Sequence, residues 1–175
     1  MHNPPRILIV TFSRTGTTAR LAELLATLLL ADCEALRERE GPQWRTGVRG
    51  YLRSLADAIG QRHANPLPTA HDPTQYDVVV VGTPVWASCA AAPVTTWLAG
   101  HRGHLHKVAF FCSLGGYGSD KAFEQMHTSA GVTPLATCAI TAADLRAGRD
   151  QRLLDAFARK IRDRAAVLES LEWSL

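Results

Sequence analysis

Apolar residues along this chain gather into short unbroken runs. RILIV (6–10), YDVVVVG (76–82), KVAFFCS (107–113) and LATCAI (135–140) each hold several consecutive aliphatic or aromatic positions bounded by polar or turn-forming residues. Runs of this kind, continuous rather than alternating, are the pattern of strands covered on both faces and point to a parallel sheet. CEALR (33–37) is a weaker fifth run. Between the runs, apolar residues recur at helical spacing, which predicts helices over 16–31, 47–62, 91–101, 119–130 and 149–169. In the last of these, Leu153, Leu154, Phe157, Ile161, Ala165 and Leu168 fall on one face. Strand and helix thus alternate five times. With right-handed crossovers, that order builds an α/β fold: an open, doubly wound, five-stranded parallel sheet with helices on both faces. Ligands of such sheets sit outside the carboxyl ends of the strands, which directs attention to the loops 11–18, 83–90 and 113–118.

The chain has 175 residues, enough for one domain that buries about 70% of its unfolded surface and too few for two cores of comfortable size. Residues 1–175 therefore read as a single domain. No run approaches the roughly 18 apolar residues of a membrane span, and MHNPPRILIVTF has neither a basic leader nor a small-residue cleavage site. The expectation is a cytoplasmic protein with no membrane span. Cys33, Cys89, Cys112 and Cys138 lack Cys-x-x-Cys spacing, which argues for reduced structural thiols over a zinc site or a disulfide framework. Net charge is +3, and it is unevenly placed: Arg37, Arg39, Arg45, Arg49, Arg53 and Arg62 outnumber Glu38, Glu40 and Asp57. A nucleic-acid partner would call for a denser basic face interleaved with aromatics, so none is expected.

The loop TFSRTGTT (11–18) lies between a buried strand and an amphipathic helix. Ser13, Thr15, Gly16, Thr17 and Thr18 bring four hydroxyls to the helix start, where unpaired backbone N–H groups and the positive end of the helix dipole already converge. This is an anion site in composition. A single hydroxyl suffices to cap a helix, and four exceed that need. Gly16 allows close backbone approach, and Arg14 faces either the anion or solvent. No lysine follows the glycine, so the nucleotide-triphosphatase signature is absent, as is a glycine-rich dinucleotide fingerprint.

SRTGTTARLAELL resembles the phosphate-binding signature of the flavodoxin family, whose positions Ser13, Gly16, Thr18, Ala22 and Leu25 fill; Thr11 departs from it, since the family usually has an aromatic there. GTPVWASCAAAPVTTWL (82–98) resembles the loop that flavodoxin-like proteins wrap along the inner edge of the isoalloxazine ring. The resemblance implies that Thr83, Pro84, Val85 and Trp86 line a flavin, with Trp86 either stacked on the ring or packed against the start of the next helix. SLGGYGSDKAF (113–123) is similar to the family's second flavin loop, which places Ser113, Gly115, Gly116 and Tyr117 on the other side. The resemblance spans nearly the whole chain and implies strand order 2-1-3-4-5 and bound FMN. Residues 41–75 are longer than a bare crossover and are its least familiar part.

Two functions follow from that resemblance. One is an electron-carrier flavodoxin that docks with redox protein partners. The other is an NAD(P)H-dependent FMN oxidoreductase acting on a small-molecule acceptor such as a quinone. Carriers of this family are typically acidic, whereas this chain is basic and its two flavin loops hold no carboxylate, which favours the oxidoreductase. Arg45, Arg49, Arg53 and Arg62 either meet an anionic substrate or nucleotide, or form a solvated helix face. A homodimer is left open, and no catalytic residue is assigned. HRGHLH (101–106) has histidines but falls at the sheet end opposite the flavin loops, and Cys89 has no nearby base to activate it.

Overall fold

The computed structural model describes residues 4–38, 67 and 69–172. The expected helix over 47–62, with Arg45, Arg49, Arg53 and Arg62, lies outside the described residues. The elements in chain order are β1 (Ile7–Thr11), α1 (Thr17–Leu29), β2 (Asp32–Ala35), a short 3-10 turn (Pro73–Gln75), β3 (Val78–Trp86), β4 (Cys89–Ala90), α2 (Ala92–Gly100), β5 (Val108–Leu114), α3 (Ser119–Ala130), β6 (Thr137–Thr141), α4 (Ala142–Arg146) and α5 (Asp150–Glu172). The sheet order is β2-β1-β3-β5-β6, every pair parallel. Counting only these five long strands, that is the expected 2-1-3-4-5.

The apolar runs of β1, β3 and β5 are unbroken because each of these strands feeds two cores. Leu8 and Val10 of β1, Val79 and Val81 of β3, and Phe110 of β5 pack with Val94, Trp97 and Leu98 of α2 and Ala122 and Met126 of α3. Their neighbours Ile7, Ile9, Val78, Val80 and Phe111 pack on the opposite face with Leu21 and Leu25 of α1 and Leu154, Phe157 and Ile161 of α5. Alternate side chains of a strand point to opposite faces, so a sheet covered by helices on both sides needs apolar residues at every position. Gly82, at the level of Thr11 on β1 and Phe111 on β5, has no side chain to give to either core. A Cβ placed there would stand 2.2 Å from Cζ of Phe111, so the ring occupies the space that the strand's own side chain would take.

Three differences from the sequence reading bear on the site. β3 continues past the apolar run through Thr83, Pro84, Val85 and Trp86, because its end pairs with β5 on one side (Thr83 with Cys112, Pro84 with Ser113) and with the two-residue β4 in an antiparallel hairpin. These four residues therefore belong to strand rather than loop. β4 itself was not anticipated. Nor was α4, a single short turn of helix whose start is made by Thr141 and Asp144.

Candidate functional site

The loops after β1, β3 and β5 gather at the carboxyl ends of the strands. The first leads into α1 through Gly16, whose φ of 89° lies in the left-handed region that a side chain disfavours. The Ser13 hydroxyl accepts the N–H of Gly16 at 3.2 Å, one residue short of the helix. Gly16 is the N-cap of α1 and supplies no side-chain acceptor, and the helix has no acidic residue in its first turn. Among the described residues the first-turn N–H groups are thus left without a side-chain cap at the positive end of a 13-residue helix, an arrangement that attracts an anion. Arg14, Thr15 and Gly16 are exposed, while Ser13 and Thr17 are half-buried.

Thr18 differs from the other hydroxyls. It is only 1% exposed, and its Oγ1 is hydrogen-bonded to the Ser113 hydroxyl at 2.8 Å. A buried hydroxyl takes a protein partner, and here the partner ties the first loop to the end of β5. Thr11 lies just below, 5% exposed, with no hydrogen-bond partner for its Oγ1 among the described residues.

The second loop is a hairpin. Ala87 and Ser88 connect β3 to β4 with φ of 48° and 63°, both positive as a type I′ turn requires. Thr83 is fully buried; its hydroxyl donates to the Pro84 carbonyl and accepts the N–H of Ala91, both at 2.9 Å, which stitches the end of β3 to the start of α2. Pro84 and Val85 are buried as well. Trp86 remains half-buried, edge-on to Phe12 with ring centroids 6.3 Å apart. The aromatic that the flavodoxin signature places at residue 11 thus has a counterpart one position later, facing Trp86 across the loops.

The third loop leans on the hairpin. Gly118 has a φ of 97°, and a Cβ there would stand 2.6 Å from the Ser88 backbone, so only glycine lets the two loops touch. Gln125 of α3 braces the same hairpin, accepting the N–H of Ala90 at 3.0 Å and donating to Sγ of Cys89 at 3.5 Å. Gly115 and Gly116 face open space, and Tyr117 is 83% exposed. Phe12, Ser88, Gly118 and Gln125 were missed by sequence reasoning. Gly118 had a signal, as a glycine directly before a helix start; Gln125 had none.

The electrostatics of this end come from the flanking helices. Arg20 pairs with Asp150, and Arg149 with Asp144. Asp144 accepts the hydroxyl and the N–H of Thr141, which with Arg149 holds its carboxyl down at about 2. Of the thiols at this end, Cys89 is buried against Gln125, and burial pushes Cys112 up to about 12 and Cys138 up to about 11; Cys33 is exposed on β2. A further groove is lined by His71, Asp72, Trp97 and His101, the last two from the end of α2.

No curated protein matches the chain. Solved structures do. A flavoprotein from Lactobacillus acidophilus NCFM, in complex with FMN, is 20% identical at a TM-score of 0.69, covering 82% of this chain and 97% of that one. A candidate flavoprotein from Bacteroides eggerthii DSM 20697 is 22% identical at 0.67, covering 88% and 98%. The two-electron reduced flavodoxin of Megasphaera elsdenii is 22% identical at 0.50, covering 87% and 98%. At these identities the likeness concerns the fold. The family model for flavodoxin matches residues 6–140, from the start of β1 through most of β6, and the chain belongs to the flavodoxin family.

Proposed function

We propose that the chain binds FMN with its phosphate at the start of α1, and that it is an oxidoreductase drawing electrons from NAD(P)H and passing them to a quinone or a similar small acceptor. The observation that carries the FMN reading is the start of α1: a long helix with a glycine N-cap, no side-chain cap and no first-turn acid. A phosphate fits there. The backbone N–H groups of the first turn and the hydroxyls of Ser13, Thr15 and Thr17 are its donors, Gly16 presents no side chain to obstruct it, and Arg14 adds positive charge beside it. Thr18 acts from below, held in place by Ser113.

In this reading Trp86 and Tyr117, on the loops after β3 and β5, flank the flavin, and the open backbone of Gly115 and Gly116 leaves room for the polar edge of a planar ring. Thr83, Pro84 and Val85 serve the flavin indirectly, as the buried strand end that fixes Trp86. Bound FMN supplies the electron-transfer chemistry, and the protein's part is to place and tune it. Residues 83–90 and 113–118 contain no carboxylate, so the site does not repel negative charge gained by the cofactor on reduction. This supports two-electron exchange with a nucleotide. A second reading, a carrier between redox proteins, is favoured by the exposure of Tyr117 beside the site.

Titration of the purified protein with FMN and with riboflavin tests the phosphate site. Tight FMN binding with much weaker riboflavin binding supports it, and equal affinities overturn it. Anaerobic mixing of the FMN-loaded protein with NADPH or NADH then separates the two functions. Bleaching of the oxidised flavin band followed by recovery on adding a quinone supports the oxidoreductase; no bleaching with either nucleotide leaves the carrier.

A further inference from the structure

The hairpin that carries Trp86 is short, strained and held from outside. Ala87 and Ser88, which form its turn, both have positive φ, a conformation that residues other than glycine keep only where the surroundings hold them in it. β4 is two residues long and pairs with β3 alone, Ala90 level with Val85 and Cys89 level with Trp86. Directly opposed residues of an antiparallel pair alternate between exchanging hydrogen bonds and turning their N–H groups outward. Ala90 is of the second kind: it is 3% exposed, and its N–H goes to Oε1 of Gln125, 3.0 Å away. Gln125 thus supplies the acceptor that a further strand would have given. Its other end is used as well, since Nε2 donates to Sγ of Cys89 at 3.5 Å. An N–H can only donate, so the Ala90 bond fixes which end of the amide is oxygen.

Gln125 lies about two turns into α3, whose N-cap is Gly118. A Cβ on Gly118 would stand 2.6 Å from Cα of Ser88, so the start of the same helix is pressed against the hairpin turn. α3 therefore meets the hairpin twice, at the turn and along the edge of β4. On the far side of the ladder from β4's braced edge, Trp86 meets Phe12 of the first loop.

We propose that Gln125 is a positioning residue for the flavin ring. Through Ala90 and Cys89 it holds the hairpin that sets Trp86, and through α3 it ties that hairpin to the glycine loop 115–118, so the two ring-side loops form one clamp. The flavin as ligand rests on the FMN reading; the brace does not. The cofactor's phosphate belongs to the start of α1 in that reading, which leaves the two ends of the molecule to separate sets of residues. Without the Gln125 amide a buried N–H has no acceptor, and the edge of β4 moves to find one. Trp86, opposite Cys89, moves with it.

The test compares Gln125→Met, which keeps the length and loses both hydrogen bonds, with Gln125→Glu, which keeps an acceptor for the Ala90 N–H. In the flavin-free protein, proton cross-peaks between the rings of Phe12 and Trp86 report where Trp86 stands. Fluorescence titrations report FMN and riboflavin affinity. In Gln125→Met the cross-peaks should be lost, and FMN and riboflavin should weaken by the same factor, about tenfold. Equal loss is the mark of the ring side, because a change at the phosphate spares riboflavin. Gln125→Glu should keep the cross-peaks and most of both affinities. The proposal is overturned if Gln125→Met lowers the melting temperature yet leaves the cross-peaks and both affinities in place, if FMN alone weakens, or if Gln125→Glu fails as Gln125→Met does. Should Gln125→Met not fold, Gln125→Asn, an amide one methylene shorter, carries the same expectations. If the parent binds neither flavin, the FMN reading fails, and the ring cross-peaks still decide whether Gln125 sets Trp86.

Discussion

The helices α1 and α4 both begin at the carboxyl end of the sheet, and their first turns are finished in opposite ways. α4 closes itself: the Thr141 hydroxyl accepts the N–H of Asp144 at 3.1 Å, and the Asp144 carboxylate accepts the N–H and hydroxyl of Thr141 at 3.0 and 2.6 Å. α1 begins at a glycine with no side-chain acceptor and no acid in its first turn. Backbone donors at a helix start need acceptors from somewhere. A helix that carries its own has no use for an external anion, and one that omits them is open to it. The contrast is written in residue types, Thr-x-x-Asp in one case and Thr-Gly-Thr-Thr in the other.

Closing α1 should have the largest effect. Thr17→Asp sets a carboxylate at the first helical position, where a phosphate nearby would be repelled by about 4 kcal/mol or more at contact distance. FMN affinity should fall about 700-fold or more while riboflavin affinity barely changes. The thermal stability of the FMN-free protein should hold or rise, because an acid at a helix start stabilises by about 0.3–1 kcal/mol. Loss of FMN binding together with lower stability would show a general disturbance of the helix instead. Fluorescence titrations and melting curves on one preparation supply both numbers.

Removing single donors should cost less. Ser13→Ala and Thr18→Ala should each weaken FMN by about 1.5–3 kcal/mol, the range for hydrogen bonds to a charged group, again sparing riboflavin. Thr18→Ala also strips Ser113 of its partner, so its melting temperature should fall below that of Ser13→Ala. Opening α4 tests the other half of the comparison: Thr141→Ala should lower stability by about 0.5–2 kcal/mol in denaturant titration and leave FMN affinity where it was.

The smallest effect is one of pH. The Asp144 carboxyl is held at about 2 against an ordinary value of 3.8. A carboxyl lowered by folding stabilises above its unfolded value and loses that contribution as pH falls through its folded value. The melting-temperature gap between the parent and Asp144→Asn should therefore be full above pH 4 and shrink toward pH 2. A gap that stays constant over that window would mean the cap does not depend on the charge.

The sheet was legible because burial on both faces leaves a mark at every position, as in the four consecutive valines of β3. Helix 119–130 was legible at both ends, since Ser119 follows one glycine and Gly131, with φ of 71°, stops it as another. The hairpin was hidden for the opposite reason. A type I′ turn is announced by Asn-Gly or similar pairs, and here Ala87 and Ser88 adopt the positive φ values without them. In the site, the start of α1 is local and could be read from 13–18. The Thr18–Ser113 pair joins residues 95 apart in sequence, and the Phe12–Trp86 contact also crosses between strands. Such contacts come from tertiary packing, and no local pattern encodes them.

Gly82 and Phe111 share one volume between two strands. In genetic terms they are a single locus with two parts. An alanine at 82 leaves the ring nowhere to stand, and suppressors of that allele should be found at 111, as smaller aliphatic residues, before they are found anywhere on the surface. Phe111→Leu alone leaves a void where the ring lay, so each change is harmful by itself and the pair is milder than either. The middle of this sheet can then drift in sequence only by two linked steps, the first of them uphill.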